Sequence, residues 1–191
     1  LQALVERYET ECKEGRLPRD GWEKRNVSFA LLLSKEGELL QVLPLIQKVL
    51  RGKKEVDRPQ ELIVPAGETR TVGIAPFFLC DNSSYFLGAD LKGKPKRTAE
   101  CFAAAKALHE EILDGAGSDA ARAVIAFFGH WQGGESMVRT HPALASYADE
   151  ILAGANLVFR VASTFVHEEP AVREAWETHL DASGAEEKRR C

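Results

Sequence analysis

Residues 26–44 constrain the fold most strongly. Asn26-Val-Ser-Phe-Ala-Leu-Leu-Leu-Ser34 is short, apolar and partly β-branched, Lys35-Glu-Gly37 is a tight polar turn, and Glu38-Leu-Leu-Gln-Val-Leu-Pro44 returns. Two such runs joined by a glycine-containing turn predict an antiparallel hairpin, and the first run reads as a buried strand. A second pair of apolar runs lies in Gly73-Ile-Ala-Pro-Phe-Phe-Leu-Cys-Asp-Asn-Ser-Ser-Tyr-Phe-Leu-Gly-Ala-Asp90. Phe77–Cys80 and Tyr85–Gly88 are expected as two short strands about a turn at Asp81-Asn82. Short polar side chains there bond their own backbone, and Pro76 opens the first strand, where its missing N–H does least harm.

Elsewhere the periodicity changes. Leu1, Leu4, Val5, Tyr8 and Cys12 form one helical stripe that Gly15 ends. Residues 47–72 lack a core pattern apart from Leu62-Ile-Val64, and a segment of that kind is expected to be mobile or functional. From Thr98 the chain turns alanine-rich. A helix is predicted to Leu113 with Phe102, Ala105, Leu108, His109 and Ile112 on one face. A second runs from a Ser118 cap through Phe128, and a third spans Pro142–Leu152, ended by Gly154. Asn156–Ala162 and Ser163–His167 return to strand, and Pro170 at a helix N1 position opens Ala171–Leu180. The fold class is α+β: a β-rich N-terminal half with hairpins and a helix, then a mainly helical half with a late hairpin. The corresponding division is 1–97, basic and β-rich, and 98–191, acidic and mainly helical.

A chain of 191 residues fits one domain, or one with a small subdomain, and buries enough surface to fold without a disulfide or metal. The cysteines at 12, 80, 101 and 191 form no CxxC pair and no zinc spacing; they read as reduced, mostly buried thiols of a cytoplasmic protein. No apolar run is long enough to span a bilayer. The absence of an initiator methionine and the closing Glu-Glu-Lys-Arg-Arg-Cys give the look of a fragment of a longer protein. The net charge of −4 is unevenly spread. Residues 47–97 carry 10 basic and 6 acidic side chains, a net +4; residues 98–191 carry 8 and 15, a net −7. Local fields of this kind decide polyanion binding more than the average does.

Catalytic signatures are missing. His109-Glu-Glu111 and His167-Glu-Glu169 do not make HExxH, and they read as helix-surface or capping charge. GxSxG, a Walker loop and GxGxxG are absent, and Gly129-His-Trp-Gln-Gly-Gly134 reads as a helix end and loop. No enzyme activity, metal or cofactor is expected. Arg51-Gly-Lys-Lys54 and Lys92-Gly-Lys-Pro-Lys-Arg97 have the composition of phosphate-contact loops, and equally of solvated turns.

Four stretches in one order resemble the large subunit of the type I-C CRISPR Cascade effector complex, the Csd-type family. They are LQALVERYE; SFALLLS with GELLQVLPL; GIAPFFLCDNSSYFLGAD with its trailing KR; and NLVFRV followed by FVHEEPAVREAWETHL. The family is much longer, so the resemblance implies an N-terminal portion. It implies a subunit that recognises the protospacer-adjacent motif (PAM) in double-stranded target DNA and helps open the duplex. Its neighbours would be the handle-binding and backbone subunits that carry the guide RNA, and a recruited helicase-nuclease would cut. The alternative is a pure assembly module that docks on those subunits without touching DNA. On this reading Arg51, Lys53, Lys54 and Arg58 contact phosphate or groove, and Arg70, Lys92, Lys94, Lys96 and Arg97 form a second set. Phe77, Phe78, Leu79, Tyr85, Phe86 and Leu87 pack into a rigid base. Asn82 either faces DNA or bonds its own backbone. The family tends to have a polar residue where Phe77 stands, so a contact from that side chain does not carry over. The acidic half is expected to face protein neighbours or solvent.

Overall fold

The predicted strand 26–34 is two strands. In the computed structural model, which describes residues 2–13 and 18–190, β1 (Trp22–Val27) and β2 (Phe29–Leu33) are separated at Ser28. The predicted hairpin forms between β2 and β3 (Leu39–Pro44), with Phe29 opposite Pro44. After Leu45 the chain continues as β4 (Ile46–Arg51), turns at Gly52-Lys53, and returns as β5 (Lys54–Pro65). β5 pairs with β4 along its first half, Arg51↔Lys54 to Ile46↔Pro59, and with β1 along its second, Val27↔Gln60 to Trp22↔Pro65. Three long segments therefore exchange partners at Ser28, Leu45 and Gln60. There the Leu45 N–H donates to the Ser28 carbonyl at 2.8 Å and the Gln60 N–H to the Leu45 carbonyl at 3.1 Å. The expectation of a patternless segment at 47–72 is corrected, since most of it is strand. β4 and the first half of β5 are solvated on both faces, so the alternation that marks a half-buried strand is missing. Gly52 has φ +63° and takes the first central turn position, where a type II′ hairpin places glycine.

β2 lies between β3 and β7 (Leu157–Val161), which runs parallel to it. β7 also pairs antiparallel with β6 (Cys80–Asp81) and with β8 (Thr164–Phe165). Phe29, Leu31, Leu33, Phe86, Phe127, Phe128 and Phe159 belong to the main core, packed with the helices. Val27, Ala30, Leu45, Leu62, Val64, Cys80 and Val158 form a second cluster. Burying both faces of β2 explains its unbroken apolar text.

The second expected hairpin does not form. Leu79, fully buried, sits in the left-handed region at φ 58° and breaks the run after Phe78. Its N–H donates to His109 Nε2 at 3.0 Å, so the turn is held from the core. Tyr85–Gly88 is not a strand either: Asn82 caps α2 (Ser83–Phe86) through a bond from the Ser84 N–H. Five of the six hydrophobic residues expected to pack there are buried, and Phe77 is half-buried.

α1 (Gln2–Lys13) leaves Leu4 and Val5 exposed; its predicted stop at Gly15 lies outside the described residues. α3 (Pro95–Leu113) and α4 (Asp119–His130) match the predicted helices, and the Ser118 hydroxyl accepts from the Ala121 N–H as a cap. The division set at residue 97 falls inside the first turn of α3. The predicted helix 142–152 is a 3₁₀ turn at Ala145–Tyr147 running into α6 (Ala148–Leu152), and α5 (Glu135–Thr140) precedes it unpredicted. α7 (Pro170–Arg190) outruns the predicted end at Leu180, because residues 181–189 are exposed and carry no apolar signal. Cys80 and Cys101 are buried free thiols; the expectation for Cys12 and Cys191 falls outside the described side chains.

Two consequences are measurable. A Cβ on Gly37 (φ +83°) would sit 2.5 Å from the Ala123 carbonyl oxygen and 2.6 Å from the Phe127 nitrogen, whereas one on Gly52 would meet nothing within 4 Å. Gly37→Ala should therefore cost more than about 2 kcal/mol, and Gly52→Ala only its backbone strain of about 1 kcal/mol, in thermal or denaturant melts. Burial holds His109 and His167 down at about 4. A folded pKa below the unfolded value of about 6.5 means that the unfolded chain binds the extra proton. The stabilisation is complete above about pH 6.5 and lost as pH falls toward 4. Denaturant melts between pH 7.5 and 4.5 should show this loss, and His109→Gln should make it shallower by up to about 1.4 kcal/mol per pH unit.

Candidate nucleic-acid interface

The first predicted basic set lies on the β4–β5 ribbon. Arg51 and Lys54 are cross-strand partners at its tip, Lys53 occupies the turn, and Arg58 lies opposite Gln47. All four are exposed, and among the described residues none has an ion pair. Several cations elsewhere are paired, although Arg160, Arg173, Lys188 and Arg189 are likewise without an ion pair among the described residues. Lys24 pairs with Glu61 at 3.4 Å, Lys35 with Asp119 at 3.7 Å, Lys48 with Glu55 at 3.8 Å and Lys106 with Glu110 at 3.9 Å. Arg139 is held by Glu135 and Asp149, both at 2.8 Å.

Most of the second set lies at the start of α3. Pro95 takes the N1 position, and Lys92, Lys94, Lys96 and Arg97 are exposed without carboxylate partners among the described residues. The approach is fixed by Asp90, which accepts from the Lys92 N–H at 2.8 Å and from the Ser84 hydroxyl at 3.0 Å. The first turn of α3 contains no acidic residue. Cations at the positive end of a helix dipole are locally unfavourable, and an anion placed there relieves both.

Arg70 differs from the rest of its set. Its guanidinium turns inward and bonds Asp81, which is 1% exposed. It stacks 3.7 Å from the Phe77 ring centroid and 4.0 Å from that of Tyr85, and its Nε donates to the Ala75 carbonyl at 2.6 Å. Arg25 lies 4.4 Å from the same Phe77 ring. Asp81 also accepts from the Phe77 N–H and the Asn82 N–H, both at 2.8 Å. Burial pushes its carboxyl up, against the pull of Arg70 and these two N–H groups. Arg70 thus braces the loop that ends β5, and Arg97 joins it by donating to the Gly73 carbonyl at 3.1 Å. At the loop's tip Val72 is 93% exposed. Asn82 caps α2 with its side-chain oxygen at 3.0 Å from the Ser84 nitrogen, the local bond open to it as a turn residue.

Asp81, Tyr85 and Arg25 were not among the predicted site residues. The one available signal was a carboxylate at the end of the apolar run Phe77-Phe-Leu-Cys-Asp81, where burial demands a partner. In the two His-Glu-Glu triplets the carboxylates are helix-surface and capping charge as expected, Glu110 pairing with Lys106 on α3 and Glu169 accepting from the Val172 N–H at the start of α7, whereas His109 and His167 are buried. Among the described residues no cluster of three or more His, Cys, Asp or Glu side chains could hold a metal, and no helix is long and apolar enough to cross a membrane. Removing the brace should expose its function. Arg70→Ala strands a buried carboxylate and should cost about 3 kcal/mol or more. Adding Asp81→Asn should return part of that loss in denaturant melts, because the charge is gone and the single amide oxygen still accepts one of the two N–H bonds, which go to different oxygens of the carboxylate.

A protein-family model described as CRISPR-associated protein (Cas_Csd1) matches residues 4–191. No curated protein matches the chain. The matched span takes in the ribbon, the braced loop, the basic start of α3 and the parallel strand that ties both halves of the chain to one sheet, and the chain belongs to the Cas_Csd1 family of CRISPR-associated proteins.

Proposed function

We propose that this chain is the N-terminal portion of the large subunit of a type I-C CRISPR interference complex. It recognises PAM-containing double-stranded DNA and helps start its opening for guide-RNA pairing. The observation that carries the reading is the pattern of neutralisation. Arg51, Lys53, Lys54, Arg58, Lys92, Lys94, Lys96 and Arg97 are exposed without a carboxylate partner among the described residues, while Lys24, Lys35, Lys48, Lys106, Arg122 and Arg139 have one; Lys188 and Arg189 on α7 are also unpaired, but they directly follow Glu186 and Glu187 in the acidic half. Unpaired cations release counterions from DNA with little internal bonding to break. Guide–target pairing then reads the long sequence and the protein only a short duplex element. The exposed Val72, on a loop braced by Arg70 and adjoined by Arg97, has the character of an apolar side chain that enters a groove and unstacks a base step. In this reading Arg70 acts by holding that loop, the protein has no catalytic step, and the acidic half faces the guide-bearing subunits or solvent.

The test is binding of the assembled complex to short duplexes with the flanking motif intact or scrambled, across a salt series. A Lys92→Glu/Lys94→Glu/Lys96→Glu subunit should bind both duplexes more weakly. Its log–log salt slope should be lower by about one per phosphate contact removed, with the preference for the intact motif retained. Unchanged affinity and slope would leave these cations as solvated surface and favour the assembly-module reading.

A further inference from the structure

We infer that the β4–β5 ribbon docks on the phosphate backbone of a nucleic-acid duplex through one face only, the face carrying Arg51, Lys54 and Arg58. The inference rests on the duplex-binding reading above and assigns it a surface. In an antiparallel ladder, directly opposed residues share a face and successive residues alternate between faces. The register pairs Gln47 with Arg58, Val49 with Val56 and Arg51 with Lys54, which puts three cations and no carboxylate on one side. It pairs Lys48 with Asp57 and Leu50 with Glu55, so both acidic side chains of the ribbon lie on the other side. There Glu55 holds Lys48 at 3.8 Å. At the root, Arg58 and Glu61 rim one hollow, but Glu61 is held by Lys24 at 3.4 Å.

The segregation is invisible in the text Lys53-Lys-Glu-Val-Asp-Arg58, where signs mix along the chain. It also carries a cost. Arg51 and Lys54 are directly opposed like charges at the tip of a two-stranded hairpin, an arrangement that destabilises a ladder and that a polyanion reverses. Dimensions fit a duplex. Six residues span about 20 Å, and Lys54 and Arg58 lie about 13 Å apart along their strand. Over that distance B-DNA presents about eight phosphate charges, and its major groove admits a two-stranded ribbon.

The two faces can be separated experimentally with equal changes of charge. Complexes assembled with Arg58→Glu, Lys54→Glu or Lys48→Glu subunits would be titrated with a duplex carrying the target and its native flank, and with an unrelated duplex, from 50 to 200 mM salt. Arg58→Glu and Lys54→Glu should each lower the salt slope by about one and weaken both duplexes about equally. Lys48→Glu should leave the slope within error of the native complex, because its face points away from the duplex and the Debye length at these concentrations is about 10 Å. Equal losses from Lys48→Glu and Arg58→Glu would overturn the one-faced docking, as would no change from any of the three. Failure of the Arg58→Glu and Lys54→Glu subunits to enter the complex would also overturn it, by making the face a contact for an acidic protein neighbour. Native complex that binds both duplexes without a salt slope would sink the duplex-binding reading itself, a result distinct from the other three.

Discussion

The exchange of partners at Ser28, Leu45 and Gln60 is the constraint from which the exposed part of the molecule follows. A backbone that leaves one strand must find another partner or water for its N–H and C=O groups. Here β1 and β4 both leave the β2–β3 hairpin and are both met by β5, one along each half of its length. The half that pairs with β1 is drawn onto the second apolar cluster through Leu62 and Val64. The half that pairs with β4 has no such cover, and it stands out as a two-stranded ribbon whose side chains are free to carry charge. Position and solvation of the first basic set are therefore products of strand topology.

A different device fixes the second set. Asp81 is a carboxylate in a nearly dry setting, and its bonds to Arg70, Phe77 and Asn82 join the loop after β5 to β6 and to the start of α2. A charge so placed destabilises unless it is fully bonded, and once bonded it fixes geometry. The stacking of Arg25, Phe77, Arg70 and Tyr85 extends the same tie to β1. His109 contributes from the core by holding the left-handed turn at Leu79. The result is a short rigid segment that sets Val72 and the basic start of α3 against one another, with Arg97 as the bond between them.

Much of the helical layer was legible in the text, since α3 and α4 carry period-3.6 apolar faces, glycines beyond their ends and, for α4, a serine cap. The β2–β3 hairpin was legible for the same reason, through runs of apolar residues around a polar turn. The ribbon was not, because strands solvated on both faces leave no periodic trace. Nor was the turn at Leu79: a leucine gives no sign that a histidine thirty residues away will hold it at positive φ. Of the site residues, the exposed cations could be picked out by composition. Arg70 could be picked out only as a cation; its inward turn depends on Asp81 being buried, a fact about packing.

The sequence by itself determined the α+β class, the basic middle and acidic second half, the helices with an apolar stripe and the central hairpin. These are properties of local periodicity and charge count, and they need no partner to be read. Only the tertiary structure decided that β7 would lie parallel to β2, that β5 would divide its length between two partners, and that Arg51, Lys54 and Arg58 would share a face free of carboxylates. The physical reason is common to all three. Each is fixed by strand register between distant segments, and a shift of one residue would turn every side chain of the ribbon to the opposite side.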